Sequence, residues 1–400
     1  MANKISLVLL SLFLLAAGFG AGFSYGEVSG AKGSTNSIFT GSNIFSGKPS
    51  FDLLNEGVEA IMEAYVDSGK VKEEDLIYGA MQGMVKSLGD PYSVFLKPEV
   101  SKTFQEDIGG SFEGIGAEIG MREEVLTIIS PLKGSPAESA GLKAGDEVLF
   151  VDDNSTQDLA LDEAVQMIRG KKGTEVVLTV IREGESESKK ISIIRDTIKI
   201  PNISWEIKEG NVAYIQLYHF TETASEDFKN VANEVLKSDA DRIVLDLRNN
   251  PGGLLEVSVD IAGWFFQEGM VVTTEDRGGK GVNSIYKTRG SGALEEYPMV
   301  VLTNQGSASA SEILAGALRD HSDVKLVGEQ TFGKGSVQQL IKLSDGSNIK
   351  ITVAKWLTPK GYSIEGNGLD PDVKVEMTQE IFEKEGDVQL EKAIEVVKGL

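Results

Sequence analysis

The sequence predicts a multidomain chain of α/β + β class: an N-terminal helical region, a small partly open β-barrel, and an α/β core on a mostly parallel sheet. Three observations carry that expectation. At 400 residues the chain is too long for one compact core. Residues 104–197 read as short β-like runs with a single late helix, whereas residues 198–376 alternate strands with helices. The composition, 41% apolar and 25% charged, is that of folded domains rather than of a disordered chain.

Taken in order, the chain opens with Lys4 ahead of an apolar run from Ile5 to about Phe23. A charged start followed by an apolar stretch marks an exported protein. The run approaches the ~20 residues of a membrane-spanning helix, and Gly20 and Gly22 are small enough for a signal peptidase. Residues 1–23 are therefore expected to be a signal peptide or a membrane anchor. Residues 24–47, rich in Gly, Ser, Asn and Thr, read as a flexible linker.

The helical region covers residues 48–103. Asp52 is a reasonable N-cap for a helix carrying Leu53, Leu54, Val58, Ile61, Met62 and Tyr65 on its apolar face. A second helix should run from about Glu73 to Leu88 and stop at Gly89-Asp90-Pro91. This pair is too short to stand alone and is expected to pack on the rest of the chain or on a second copy.

In residues 104–197, strands are expected at Ile115–Ile119, Leu126–Ile129, Glu147–Val151, Val176–Arg182 and Lys190–Ile194, with a helix at Leu161–Ile168. In the core, strands Val212–Leu217, Arg242–Asp246, Met299–Thr303 and Lys325–Val327 alternate with helices near 225–237, 255–267 and 309–320. Asp246 and Asn304 then fall at the C-terminal strand ends, the edge where open α/β sheets bind ligands. Residues 377–400 form a C-terminal amphipathic helical segment with no visible chemistry.

Composition also excludes whole classes of function. A net charge of −22 argues against nucleic acid, whose phosphates need a basic face. With no cysteine, neither disulfides nor thiolate sites are available, and His219 and His321 are too few for a histidine metal centre. No metal or organic cofactor is expected. The chemistry must come from hydroxyls, amines, carboxylates, amides or backbone.

Three stretches offer it. In Val300–Ile313 a buried strand enters a turn of small residues, Asn304-Gln305-Gly306-Ser307-Ala308-Ser309, and a helix opens near Ser309. This is nucleophile-elbow geometry, with helix N-terminal amides available to an oxyanion. It is also what a serine-rich helix cap looks like, and spacing alone does not choose among Ser307, Ser309 and Ser311. In Thr331-Phe332-Gly333-Lys334-Gly335-Ser336-Val337-Gln338, a lysine stands between two glycines. If desolvated, it can serve a serine as base, because burial disfavours the ammonium; if exposed, it is an ordinary turn lysine. Gln338, four residues on, would share a face with it in a strand or in a helix, and its amide can hold the amine without adding charge. In Asp246-Leu247-Arg248-Asn249-Asn250-Pro251-Gly252-Gly253, paired glycines after a strand let backbone amides approach a ligand, or merely make a tight turn.

Together and in this order, these three blocks resemble the signatures of the carboxyl-terminal processing peptidases, or tail-specific proteases (serine protease family S41), over roughly residues 50–400. The resemblance implies a core of the ClpP/crotonase-like type, with Ser309 as nucleophile, Lys334 as general base and Gln338 as its positioning residue. It further implies an oxyanion hole of Ala310 and one of Gly252 and Gly253. Gly114-Ile115-Gly116-Ala117-Glu118-Ile119 and Ser135–Asp146 resemble a PDZ domain, the partly open barrel this family carries ahead of its core. That resemblance makes Gly114, Ile115, Gly116 and Ala117 the loop that holds a substrate tail, added as a strand.

The expectation is thus an exported serine endopeptidase of the cell envelope, periplasm or extracellular face of the membrane, anchored or secreted. Its substrates would be proteins with apolar C-terminal tails, and a homodimer is a further possibility through the helical ends. Two rivals stand beside it: a non-catalytic PDZ scaffold that binds tails, and an acyl-transfer hydrolase of small esters.

Overall fold

The computed structural model describes residues 51–400 apart from 123, 124, 133, 158, 160, 183, 186, 200 and 280. The signal or anchor segment 1–23 and the linker 24–47 lie outside the described residues. Among the described residues, no helix is long and apolar enough to cross a membrane. The chain forms two compact units, one of residues 51–101 with 338–353, the other of residues 102–337 with 354–400.

The smaller unit opens with α1 (Phe51–Ala64) and α2 (Glu73–Lys86), followed by β1 (Val94–Leu96). Glu73, Glu74 and Asp75 in the first turn of α2, and Lys86 in its last, complement the helix dipole. Tyr78 and Val85 turn inward onto Phe95 of β1. On α1, by contrast, Leu53, Leu54 and Ile61 remain exposed.

The larger unit follows α3 (Pro98–Ile108) with β2 (Ser111–Gly114), β3 (Ala117–Arg122), β4 (Val125–Pro131), α4 (Pro136–Ser139), β5 (Glu147–Val151), β6 (Asn154–Ser155), α5 (Leu161–Ile168), β7 (Glu175–Ile181), β8 (Lys189–Ile194) and β9 (Asp196–Lys199). Strands β3-β4-β5-β7-β8 form an antiparallel sheet with β3 at its edge, and β2 pairs with β9 in a separate ribbon. Alternate residues such as Leu126, Ile128, Val176, Leu178 and Val180 close one core with Ala164 and Ile168 of α5. The strand expected at Ile115–Ile119 begins only at Ala117, as the start of β3. Gly116, at φ +73°, bends the chain between β2 and β3, and a Cβ there would meet Ser135.

From residue 203 the chain continues with β10 (Ile203–Lys208), β11 (Val212–Leu217), α6 (Ala224–Val235), β12 (Arg242–Asp246), α7 (Leu255–Ala262), β13 (Val271–Asp276), β14 (Ser284–Lys287), β15 (Met299–Thr303), α8 (Ala310–Ser322), β16 (Lys325–Gly328), β17 (Ser336–Lys342), β18 (Asn348–Leu357), β19 (Val373–Lys374), α9 (Gln379–Glu385) and α10 (Val388–Lys398). Of these, β17 from Gln338 and β18 up to Val353 belong to the smaller unit, the rest to the α/β core. Its sheet runs β10-β11-β12-β15-β16-β19 and is parallel except at β10. Strand β15 is buried along its whole length, as a central parallel strand must be. Val212, Tyr214, Val244, Val300, Leu302 and Val327 line the face covered by Ala393 and Val397 of α10.

Two helices differ from expectation. Helix α7 ends at Ala262 rather than near 267, because Gly263 packs on Gly290, where a Cβ would sit 2.8 Å from the Gly290 nitrogen. Residues 377–400 are two helices, since Gly386 terminates α9 and the Asp387 side chain caps α10 through the Leu390 amide.

Candidate active site

Strands β12 and β15 are neighbours, and Asp246 lies opposite Leu302, so the turns that follow them emerge side by side. Asn250 binds them together. Its buried side chain donates to the Leu217 carbonyl at 2.7 Å and accepts from the Gly252 amide at 2.9 Å. Its own carbonyl accepts from the Ala308 amide and the Ser311 hydroxyl, at 3.0 and 2.9 Å.

Ser309 caps α8 with φ 54° and ψ −114°, a strained conformation for a residue with a side chain. Such strain costs roughly 1–3 kcal/mol and persists only where neighbours enforce it. The three candidate serines are not equivalent. Ser307 donates to the Leu247 carbonyl at 2.7 Å, and Ser311 donates to that of Asn250. The Ser309 hydroxyl is buried and has no hydrogen-bond partner among the described residues. Ala310, next along, is the first residue of α8, so its amide has no partner within the helix.

The paired glycines face different ways. A Cβ on Gly252, at φ +100°, would fall 2.7 Å from the Ala308 carbonyl, 2.9 Å from Ser309 Cβ and 3.0 Å from the Ala310 nitrogen. One on Gly253 would strike the Phe220 carbonyl. Gly252 is thus the member that lies against Ser309, while Gly253 packs on the chain after β11.

Lys334 is fully buried in the loop before β17. Its loop is held down by backbone bonds: Phe332 N–H to the Ser307 carbonyl, Gly366 N–H to Gly333, and Trp356 N–H to Gly335. A Cβ on Gly335 would collide with the Glu365 backbone, so this close packing needs glycine.

Sequence reasoning missed the residue that joins the two halves. Glu312, on the first turn of α8, is fully buried and accepts four hydrogen bonds. One oxygen takes the Thr331 hydroxyl at 2.5 Å and the Gly333 amide at 2.8 Å. The other takes the amides of both Ser309 and Lys334, each at 2.9 Å. Burial pushes the Glu312 carboxyl above its ordinary value, against the pull of these four donors. The signal was present in Ser309-Ala-Ser-Glu312, the Ser-x-x-Glu spacing of a capping box.

Arg248 was also passed over. It donates to Asp246 and, at 2.8 Å from each terminal nitrogen, to the two oxygens of Asp387, tying the turn to the cap of α10. Gln338 belongs to the smaller unit, where its side chain is fully buried and donates to Thr352 at 3.2 Å. His321 is bonded to the Val271 carbonyl at 2.6 Å, at the far end of α8 from Ser309. His219, whose basicity burial lowers, ends up beyond β11.

The remaining candidates, Gly114, Ile115, Gly116 and Ala117, lie around the bend between β2 and β3. The Ile115 and Gly116 carbonyls accept from Ala137 and Leu132, so those oxygens point into the domain.

Known proteins are similar to this chain. Residues 211–375 match the family model described as peptidase family S41. The carboxy-terminal processing protease CtpA of Bacillus subtilis (strain 168) is 41% identical over 344 residues, which cover 86% of this chain and 72% of that protein. The chain belongs to peptidase family S41. Within that family it groups with the carboxy-terminal processing proteases. CtpB of the same organism is 38% identical over 352 residues, spanning 86% of this chain and 71% of CtpB. The solved photosystem II D1 C-terminal processing protease superimposes with a TM-score of 0.51 at 29% identity, over 82% of this S41 chain and 94% of that one. Residues 103–181 match the PDZ domain, and residues 15–100 match the model described as the activating protease CtpB N-terminal domain.

Proposed function

We propose that this S41 peptidase is an exported serine endopeptidase that uses Ser309 and Lys334 to cleave proteins near their C-termini. The observation that carries the reading is the contrast among three serines. Ser307 and Ser311 commit their hydroxyls to backbone carbonyls, while of the three only Ser309 has a buried hydroxyl with no hydrogen-bond partner among the described residues, on a strained elbow. A nucleophile needs that freedom, and a purely structural cap does not.

In the first step the Ser309 hydroxyl oxygen attacks the scissile carbonyl carbon while Lys334 Nζ, as a neutral amine, accepts the hydroxyl proton. The negative carbonyl oxygen settles against the Ala310 amide and an amide of the Gly252–Gly253 pair. Collapse expels the amine of the C-terminal fragment, which takes the proton back from Lys334. Water, deprotonated by the same lysine, then releases the N-terminal fragment from Ser309. Gln338 is the positioning residue for the lysine. Glu312 holds the backbones of nucleophile and base from one oxygen atom, so their spacing is built in before substrate arrives.

The PDZ domain supplies the protein tail. Strand β3 lies at the edge of its sheet, so an extended peptide can add there. The turn at Gly114, Ile115, Gly116 and Ala117 would receive the tail's carboxylate. Residues 1–23 would carry the enzyme across the membrane, and the exposed Leu53, Leu54 and Ile61 of α1 would pair two copies; sedimentation of the Leu54→Glu variant as a monomer beside a wild-type dimer would support that pairing.

The decisive test mixes protein lacking residues 1–47 with an unfolded substrate ending in apolar residues, and reads the products by mass spectrometry. Cleavage by wild type and not by Ser309→Ala supports the reading. Equal cleavage by both refutes Ser309, and tail binding without any cleavage favours a scaffold.

A further inference from the structure

The backbone donors proposed for the oxyanion come from two separate stretches of chain. The Ala310 amide opens α8, and the Gly252–Gly253 pair stands in the turn between β12 and α7. An oxyanion hole works only if its donors hold their spacing before the charge forms. What ties the turn to the helix therefore bears on the chemistry.

Hydrogen bonds cross between the two stretches at several points. Ser307 donates its hydroxyl to the Leu247 carbonyl at 2.7 Å. The Asn249 backbone amide donates to Asn304 Oδ1, and Asn304 Nδ2 donates to Asn249 Oδ1, each at 2.9 Å. The Asn250 carbonyl accepts from the Ala308 amide at 3.0 Å and from the Ser311 hydroxyl at 2.9 Å. Of these partners of the turn, Asn304, Ser307 and Ala308 precede the strained Ser309, and Ser311 alone lies on α8. A bond from the preceding loop fixes the turn to the helix only through the backbone of Ser309. The Ser311 bond fixes it directly, one residue beyond Ala310 on the same helical turn.

Asn250 carries that constraint to the glycines. It is fully buried, and its side chain donates to the Leu217 carbonyl at 2.7 Å while accepting the Gly252 amide at 2.9 Å. The glycine pair thus takes its orientation from Asn250. A carbonyl oxygen has two lone pairs, and here Ala308 and Ser311 take them both. Ser311 is itself fully buried. A serine hydroxyl near a helix start commonly bonds the backbone of its own turn, whereas this one reaches a carbonyl 61 residues away.

We propose that Ser311 is a positioning residue for the cleavage reaction, holding the Gly252–Gly253 turn against the Ala310 amide through the Asn250 carbonyl. The inference rests on the proposed roles of Ser309 and of the oxyanion donors. It divides the labour of the serine-rich stretch: Ser309 attacks, and Ser311 sets the spacing of the amides that receive the resulting charge. Substrate binds before that charge exists, so the Ser311 hydroxyl acts on kcat and leaves KM alone.

The test compares wild type, Ser311→Ala, Ser309→Ala, Gly252→Ala and the Gly252→Ala/Ser311→Ala double variant as full-length proteins. Ser311→Ala removes the hydroxyl and strands no donor, since Ala308 still serves the Asn250 carbonyl. Active sites are counted by labelling Ser309 to completion with a fluorophosphonate, so a misfolded fraction does not enter kcat. Per labelled site, Ser311→Ala should lower peptide kcat roughly tenfold with KM unchanged, less than the roughly 100- to 1000-fold of deleting an oxyanion donor. A peptide aldehyde, which adds to the Ser309 oxygen and leaves its own oxygen in the oxyanion position, should bind about tenfold more weakly. In the Gly252→Ala background the same change should cost under about twofold, because the turn is already displaced. Equal losses in both backgrounds mean that Ser311 acts elsewhere and overturn the inference. A wild-type kcat per site for Ser311→Ala beside an inactive Ser309→Ala also overturns it, whatever the melting temperature, and leaves the nucleophile standing. Cleavage by Ser309→Ala at the wild-type rate refutes the nucleophile and the inference with it. Should Ser311→Ala fail to fold, Ser311→Cys replaces it, keeping the bulk with a weak donor: wild-type kcat and aldehyde affinity there refute the proposal.

Discussion

Glu312→Gln replaces one carboxylate oxygen with an NH2 group in a site where all four partners donate. If the NH2 took the side of Ser309 and Lys334, two buried amides would face a donor. On the other side only the Gly333 amide would be stranded, because the Thr331 hydroxyl can rotate and accept. The second orientation should therefore win. One orphaned buried donor costs about 1–3 kcal/mol, less the relief of no longer burying a charge. Glu312→Ala orphans every partner and should cost at least twice as much. Loss of the shared oxygen also lets Ser309 and Lys334 drift, and a displacement near 1 Å lowers turnover on the order of 100-fold. The pH dependence has a defined sign. The unfolded carboxyl titrates near 4.5 and the native one higher, so between those values the native state binds more protons and stability falls as pH rises. Glu312→Gln should remove that slope. Urea denaturation across pH 4 to 8 and peptide cleavage at pH 8 would measure both effects. Wild-type stability and kcat in Glu312→Ala would refute the idea that this carboxylate joins nucleophile to base.

Three further outcomes are open to measurement. Lys334→Arg should abolish cleavage because arginine stays charged, and wild-type activity should rise with pH along a single basic limb; a flat profile from pH 6 to 10 would count against a lysine base. Gly252→Ala should lose activity on the order of 100-fold, since its methyl would press on the Ala308 carbonyl and Ser309 Cβ. Circular dichroism would show whether the fold survives. In the PDZ domain, burial opposes the Asp146 charge but Arg182 and the Lys143 amide outweigh it and hold the carboxyl below its usual range. That stability is present above the ordinary carboxylate range and lost as pH falls through the native value. Asp146→Asn should accordingly lower the melting temperature at pH 7, with the difference shrinking toward pH 3.

Much was legible because it is local. The strands at 212–217, 242–246 and 299–303 are runs of apolar and β-branched residues between turn residues, and their periodicity survives any packing. Elements shifted where distant chain intervened. Helix α7 stops where Gly263 meets Gly290, and the strand expected from 115 starts only at Ala117, after the turn at Gly116 beside Ser135. The final helix broke at Gly386-Asp387, a stop and a cap that one continuous amphipathic pattern concealed.

By itself the sequence determined the order of the three signature blocks, the α/β alternation that carries them to one sheet edge, and the chemistry left open by two histidines and no cysteine. Those are properties of composition and short-range spacing. Only the tertiary structure decided which serine keeps its hydroxyl unbonded, because Ser307 and Ser311 find carbonyls 60 and 61 residues away. It alone showed which glycine lies against Ser309, and that one carboxylate spans the turn and the loop 21 and 22 residues beyond it. Hydrogen-bond partners at such separations are chosen by how strands stack and which groups lose their water on folding, and no local pattern of residues encodes that choice.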